Sequence, residues 1–403
     1  MNKNAAAGYR MHHCQCHHQP SPLTKGLEEE IYTGDKQGTV HGLSGALCDR
    51  FPGHYDTEPD ARNVEYRSAV HRCYAALASD ILERRHRLRR DLASLGNYTL
   101  VPGATLSLAD PDIFMISRPD NAYYQWIRDR YGSRVVTASV HINVGISDVP
   151  TLLRVWRTAR LDAWMFLALS AASPFLGGQT TGLHSSRWQR FPQTPKPIPW
   201  LPDHQTFRRW VSDRLADGQM QSHRHLWTAV RPNGPASPGV LDRIELRICD
   251  HIWEPQLLLA ITAFFEALVL EIMVDDREPP GDEQQRQQWC SANETAAATH
   301  SLDAQAYDWR SGRMASARTI IAQRLESLCP LARTHGFAPY LEPLEQTLDK
   351  GSTGQQWLAL HHRGLAIADI LGHYSAIMVE REQLLAQLIA QGAQSPCAKQ
   401  CKA

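Results

Sequence analysis

The chain has 403 residues, with Lys+Arg and Asp+Glu balanced at 42 each and hydrophobic residues at 43%. Zero net charge supplies no field to hold nucleic acid or an anionic membrane, so an anionic ligand must be gripped by local arginines. The length suffices for one large domain or two ordinary ones. No run of about 18 apolar residues is read along the chain. The N-terminus carries Lys3, Arg10 and histidines in place of a secretory apolar core, so the expected compartment is the cytoplasm. Nine cysteines without framework spacing read as reduced thiols.

Residues 1–22 are polar and read as a disordered extension. Within it, Cys14 and Cys16 among His12, His13, His17 and His18 leave two readings open, a soft-metal site or adventitious binding by a disordered tract. Residues 23–393 read as a single catalytic domain, and 394–403, with Cys397 and Cys401, as a flexible tail.

The folded part opens on Lys25-Gly26-Leu27-Glu28-Glu29-Glu30-Ile31-Tyr32. In a strand, Glu28 and Glu30 share a face. Two converging carboxylates repel unless a cation lies between them, and hard oxygen ligands suit Mg²⁺. A solvated acidic strand edge is the other reading. Residues 66–95 carry the basic run Arg84 to Arg90 on a helical pattern, with Leu82, Leu88, Leu92 and Leu95 marking the buried face. The run is read as a solvated basic face or a nucleic-acid surface.

Residues 135–146 alternate as a strand, with His141 and Asn143 on one face. Asp148 to Pro150 opens a helix to about residue 172. Residues 173–202 are rich in Gly and Pro and read as a functional loop able to close over substrate. A strand is expected over 241–250 and a buried apolar helix over 255–275. From about 283 to 393 the pattern is mostly helical, with breaks near Pro330, Pro339 and Gly351.

Four strand-like segments therefore carry acids, His or Arg: Glu28 with Glu30; Glu58, Asp60 and Glu65; His141 with Asn143; and Glu245 with Arg247. One acid of such a pair would hold a metal while the neighbouring arginine clamps a phosphate or carboxylate. The alternative is a ladder of same-face salt bridges. Arg187 and Arg231 lie in loops beside aromatic or Pro/Gly residues, suited to binding or to capping. Cys249 reads as a core thiol rather than a nucleophile, since spacing places no base for it.

Gly26-Leu27-Glu28-Glu29-Glu30, Glu58-Pro59-Asp60-Ala61-Arg62-Asn63-Val64-Glu65, Val140-His141-Ile142-Asn143-Val144-Gly145 and Arg243-Ile244-Glu245-Leu246-Arg247-Ile248-Cys249-Asp250 occur in one order. With Ser170 to Phe175, His184 to Trp188, Arg224 to Trp227 and Ser301 to Gln305, they resemble the glutamate-cysteine ligase type 2 family, its cyanobacterial type above all. The resemblance runs from about Lys25 to Gly364.

It implies an α+β, glutamine-synthetase-like fold in which an antiparallel sheet forms an active-site funnel packed with helices. It further implies that Glu28, Glu30, Glu65, His141 and Glu245, with Asp60 as a weaker candidate, ring Mg²⁺ (or Mn²⁺) and the phosphates of the co-substrate ATP. Arg247 would face the γ-phosphate and, with Glu65, carry the chemistry. Arg187 and Arg231 would hold substrate carboxylate or phosphate, and Asn143 would support nucleotide or metal. The implied reaction joins the γ-carboxylate of L-glutamate to L-cysteine; the alternative is a ligase of the same superfamily with another amine acceptor. Partners are these small molecules, with no nucleic acid or membrane, in a monomer or dimer. The chain departs where relatives carry an arginine six residues after the asparagine at position 293, having Thr299 followed by His300.

Overall fold

The computed structural model describes residues 20–393. The readings made for the His/Cys-bearing N-terminus up to residue 19 and for the tail from 394 lie outside the described residues. Ser21 already belongs to the fold. It is buried, and its hydroxyl donates to Glu266 at 2.5 Å.

Seven strands form one open sheet: β1 (Lys25–Gly34), β2 (Asp56–Thr57), β3 (Asn63–Arg67), β4 (Thr99–Val101), β5 (Val140–Gly145), β6 (Val230–Asn233) and β7 (Arg243–Leu246). The order is β2-β3-β1-β5-β7-β6, with β4 paired to β1, and the pairings are antiparallel. Alternation sorts the two faces. Leu27, Ile142, Val144, Ile244 and Leu246 enter the main core with helices α1 (Tyr74–Leu95), α2 (Val149–Ser170) and α3 (Pro255–Val274). The other face carries the charged residues.

The back face is apolar but holds isolated ion pairs. Lys25 and Glu266 are buried and 2.7 Å apart, and the Tyr74 hydroxyl donates to the same carboxylate at 2.6 Å. Arg85, fully buried on α1, meets Glu29 at 2.6 Å and donates to the carbonyls of Ile252 and Trp253. Arg89 donates to Glu382 at 2.8 Å on the last helix, Ile367–Ala393. The basic run of α1 is thus not wholly a solvated face: two of its arginines clamp carboxylates inside the protein.

Several expectations change. Helix α3 is long and apolar enough to cross a membrane, although Glu266 and Glu271 interrupt its apolar run. It lies inside the protein, with 83% of its most apolar window buried. The strand read from 135 begins at Val140, because Thr137 and Ser139 turn their backbone groups to Asn63 and Glu30. The strand read over 241–250 shortens to β7. Residues 301–316 form a 3₁₀ turn and a hairpin instead of helix, and the helix Ala317–Thr334 runs through Pro330. The 173–202 stretch contains a short helix, Ser186–Arg190, whose Ser185 hydroxyl caps the Trp188 amide.

Candidate active site

Register builds the site. Across the sheet, Arg67 pairs with Glu28 and Glu28 with His141, while Glu65 pairs with Glu30. Asn143 pairs with Glu245 and Glu245 with Arg231. Residues two apart share a face, so Glu28, Glu30, Glu65, His141, Asn143, Glu245 and Arg231 form a grid of side chains on one surface. Arg247, just beyond β7, joins it. At its edge, β5 passes close to Thr24: a Cβ on Gly145 would sit 2.1 Å from the Thr24 hydroxyl oxygen and would force that hydroxyl to swing away.

His141 is the hub. Its Nδ1 lies 3.2 Å from Glu28, 3.8 Å from Glu245 and 3.2 Å from Arg247 Nη1. Its Nε2 lies 3.0 Å from the Ser139 hydroxyl and 3.6 Å from Glu30. Glu30 in turn accepts from the Ser139 amide and hydroxyl at 2.9 and 2.7 Å. Two triads, Glu28–His141–Glu245 and Glu30–Glu65–His141, each bring three ligand atoms within 4.8 Å of one another. A carboxylate-rich set with one imidazole fits Mg²⁺ or Mn²⁺.

The carboxylates differ in what compensates them. Burial opposes ionisation of Glu245, but Arg231, Arg247 and His141 hold its carboxyl well below the usual range. Arg231 grips it through Nε at 2.7 Å and Nη2 at 3.0 Å, and Asn233 donates at 2.6 Å. Glu28 is also lowered, the pull of His141 and Arg247 outweighing burial and Glu245. Glu65 is pushed up to about 8 by burial and by Glu28 and Glu30. Glu58 is driven well above its ordinary value by burial, Glu30 and Glu65. Such crowding is what a bound cation relieves.

Two hollows flank the His141 row. One is lined by Glu30, Glu58, His141, Arg187 and Arg247 against Trp188, Phe191 and Trp227. The other, about 260 Å³, opens between Glu28, Asn143, Arg67 and Arg243. Arg187 donates to the carbonyls of Ile248 and Arg247 at 3.0 Å each, and its Nε has no partner among the described residues. Burial lowers its pKa against the pull of Asp250 and Glu30.

Asp60 is not among the residues the sheet brings together. One oxygen takes the Arg62 amide and Nε, and the other takes Arg62 Nη2 at 2.7 Å and the Met115 amide at 2.8 Å. Its lone pairs are committed to the loop, which removes it as a metal ligand. Glu58, two residues earlier in the same motif, lines the cavity instead. Asp250, missed as a working residue, accepts from the Ala172 amide and the Ser173 and Ser185 hydroxyls, and so holds the Arg187 segment against the end of the sheet. Its signal was present as the last residue of the Arg243 to Asp250 motif. Cys249 is buried, with its thiol pushed up to about 12 by burial, and is inert. Thr299 bonds back to the Thr295 carbonyl, and His300 packs 6.4 Å from the His184 ring; neither lines the acid cavity.

Comparison with known proteins bears on the fold and the family. A putative glutamate–cysteine ligase 2 of Sorangium cellulosum is 26% identical over 85% of this chain and 92% of its own. One from Clavibacter michiganensis is 28% identical over 88% and 94%. Among solved structures, the glutamate–cysteine ligase of Francisella tularensis in complex with AMP superposes with a TM-score of 0.67 at 12% identity, covering 95% of both chains. A bifunctional glutathione synthetase from Pasteurella multocida superposes at 0.70 and 13% identity, over 92% of this chain and 53% of that one. These structures establish the fold, an open antiparallel sheet packed with helices. The family model of glutamate-cysteine ligase family 2 matches residues 24–370, and the chain belongs to that family.

Proposed function

We propose that the protein is an ATP-dependent ligase joining the γ-carboxylate of L-glutamate to the amine of L-cysteine. The observation that carries this reading is His141 shared between two carboxylate triads with Arg247 beside them. A carboxylate is a poor acylating agent because its oxygen is a poor leaving group. Transfer of the ATP γ-phosphoryl to the γ-carboxylate oxygen expels ADP and leaves an acyl phosphate. The amine nitrogen then attacks the acyl carbon, the C–O bond breaks, phosphate leaves and the amine loses a proton.

The residues position and compensate rather than form covalent bonds. Glu28, Glu30, Glu65 and His141 would hold Mg²⁺, with Glu58 as a further candidate, and Glu245 shares one triad while anchoring Arg231 and Arg247. Mg²⁺ held there would supply charge neutralisation at the phosphate oxygens. Arg247 and Arg187 both line the acid cavity, where Arg247 would face the transferred phosphoryl group and Arg187 would take an anionic oxygen. Asn143, 3.4 Å from Glu28 and accepting from Arg243, would orient metal or nucleotide.

A different amine acceptor is favoured by one feature. Trp188, Phe191 and Trp227 wall the cavity, and Tyr131 and Trp126 extend the cluster, which offers an aromatic surface to an acceptor with an apolar side chain. The deciding experiment is ADP release with Mg-ATP and L-glutamate, with and without L-cysteine, followed by mass spectrometry. γ-Glutamylcysteine is the expected product. Turnover that ignores cysteine and responds to another amine would transfer the reading to that acceptor, and no amino-acid-dependent turnover would sink it.

A further inference from the structure

A second cavity lies behind the aromatic wall of the acid cavity. It encloses about 350 Å³ between α2, the helix Glu283–His300, residues 193–198 and the approach to β6. That volume falls in the range of small-molecule sites. The two cavities share Trp227 and Thr228, but none of the acids or arginines of the first lines the second.

Its lining has three chemically different parts. Glu294 accepts from the Trp188 indole N–H at 3.0 Å through one oxygen, and among the described residues the other oxygen has no hydrogen-bond donor and no ion-pair partner. Burial pushes this carboxyl up to about 7, with Lys196 the leading group that draws it down. Lys196 lies exposed at the rim, and Pro197, Ile198 and Val230 form an apolar wall. Arg160 also borders the space, but its guanidinium is spent on the carbonyls of Ile198 and Pro199 and stacks 3.9 Å over Trp200. What remains free is an acceptor for a cation, a rim charge for an anion and an apolar surface.

We propose that this cavity binds a small zwitterion with an apolar side chain, its ammonium on Glu294, its carboxylate at Lys196 and its side chain against Pro197, Ile198 and Val230. The inference stands apart from the ligase reaction. Trp188 precedes the cavity wall and follows Arg187 on the same short helix, so an occupant of this site would sit one hydrogen bond from the segment that carries Arg187 into the acid cavity.

The test is calorimetric titration of the full chain with L-leucine as the probe. Saturable one-site binding by the wild type is expected. Glu294→Gln keeps the volume and an acceptor for Trp188, and is expected to weaken binding about 10- to 100-fold by removing the charged partner. Ser291→Trp, made at an exposed position on the cavity wall, should abolish binding while leaving the fold in place. Glu28→Gln, in the acid cluster, should leave the affinity unchanged. Absence of saturable binding by the wild type, an unchanged affinity in Glu294→Gln and Ser291→Trp, or a loss in Glu28→Gln that moves the site to the acid cavity would each overturn the proposal.

Discussion

The two faces of β1 carry the same residue type and treat it in opposite ways. Glu29 points to the helix-packed face, where Arg85 meets it at 2.6 Å in a region closed to solvent. Glu28 and Glu30 point to the other face, where the acids Glu58 and Glu65 crowd them and the nearest cations are divided among several carboxylates. A buried carboxylate costs several kcal/mol unless it is paired. On the back face the chain supplies the cation itself. On the front face part of the charge is left for a ligand to balance, and that difference separates scaffold from site on a single strand.

The largest effect should come from breaking the back. Arg85→Met strands Glu29 without its cation, while Glu382 keeps Arg89, and a loss of about 3–5 kcal/mol is expected by urea denaturation. Adding Glu29→Leu should recover a good part of it. On the front, Glu28→Gln is expected to cost about 100- to 1,000-fold in ATP turnover, with a loss of stability well below that of Arg85→Met. A variant that unfolds as readily as Arg85→Met would erase the distinction drawn between the faces. Mg²⁺ at 100 times its Kd should stabilise the wild type by about 2.7 kcal/mol, reversibly with EDTA, and His141→Ala should lose most of that gain.

The smallest effect concerns Glu254, a back-side acid with partial compensation: Arg381 lies 3.3 Å away, and burial still pushes its pKa to about 7. A raised folded-state pKa means that the native protein holds the proton longer than the unfolded chain. Stability from this group is therefore full below the ordinary carboxyl value of 4.5 and is lost as pH rises through about 7. Urea curves at pH 5 and pH 8 should show a smaller decline in Glu254→Gln than in the wild type. Equal slopes would mean that Arg381 compensates it fully.

Much of the site was legible because strand alternation is a local rule. Glu28, Glu30, His141, Asn143, Glu245 and Arg247 need nothing beyond period two to be assigned to shared faces, and register then joins them. The choice between Glu58 and Asp60 was not legible. It depends on Arg62 folding back onto Asp60 and on Met115 reaching it from 55 residues away. The buried role of Arg85 was hidden for the same reason, since its partners Glu29 and Ile252 are 56 and 167 residues distant. Pro330 misled because a helix pinned by packing tolerates the loss of one backbone hydrogen bond. The hairpin at 305–316 lacks strong alternation and is held by local turn contacts such as those of Asp308.

The ion pairs behind β1 set an order of assembly. Lys25 awaits Glu266, 241 residues later, and Arg89 awaits Glu382, 293 residues later. A ribosome delivers β1 and its partner Arg85 well before Glu266 and Glu382, the acids that lock the back of the sheet onto its helices. Such long-range closure makes for slow folding. The nascent strand therefore meets the partners behind it late, and its acidic face is expected to take final shape only after α3 and the last helix have docked.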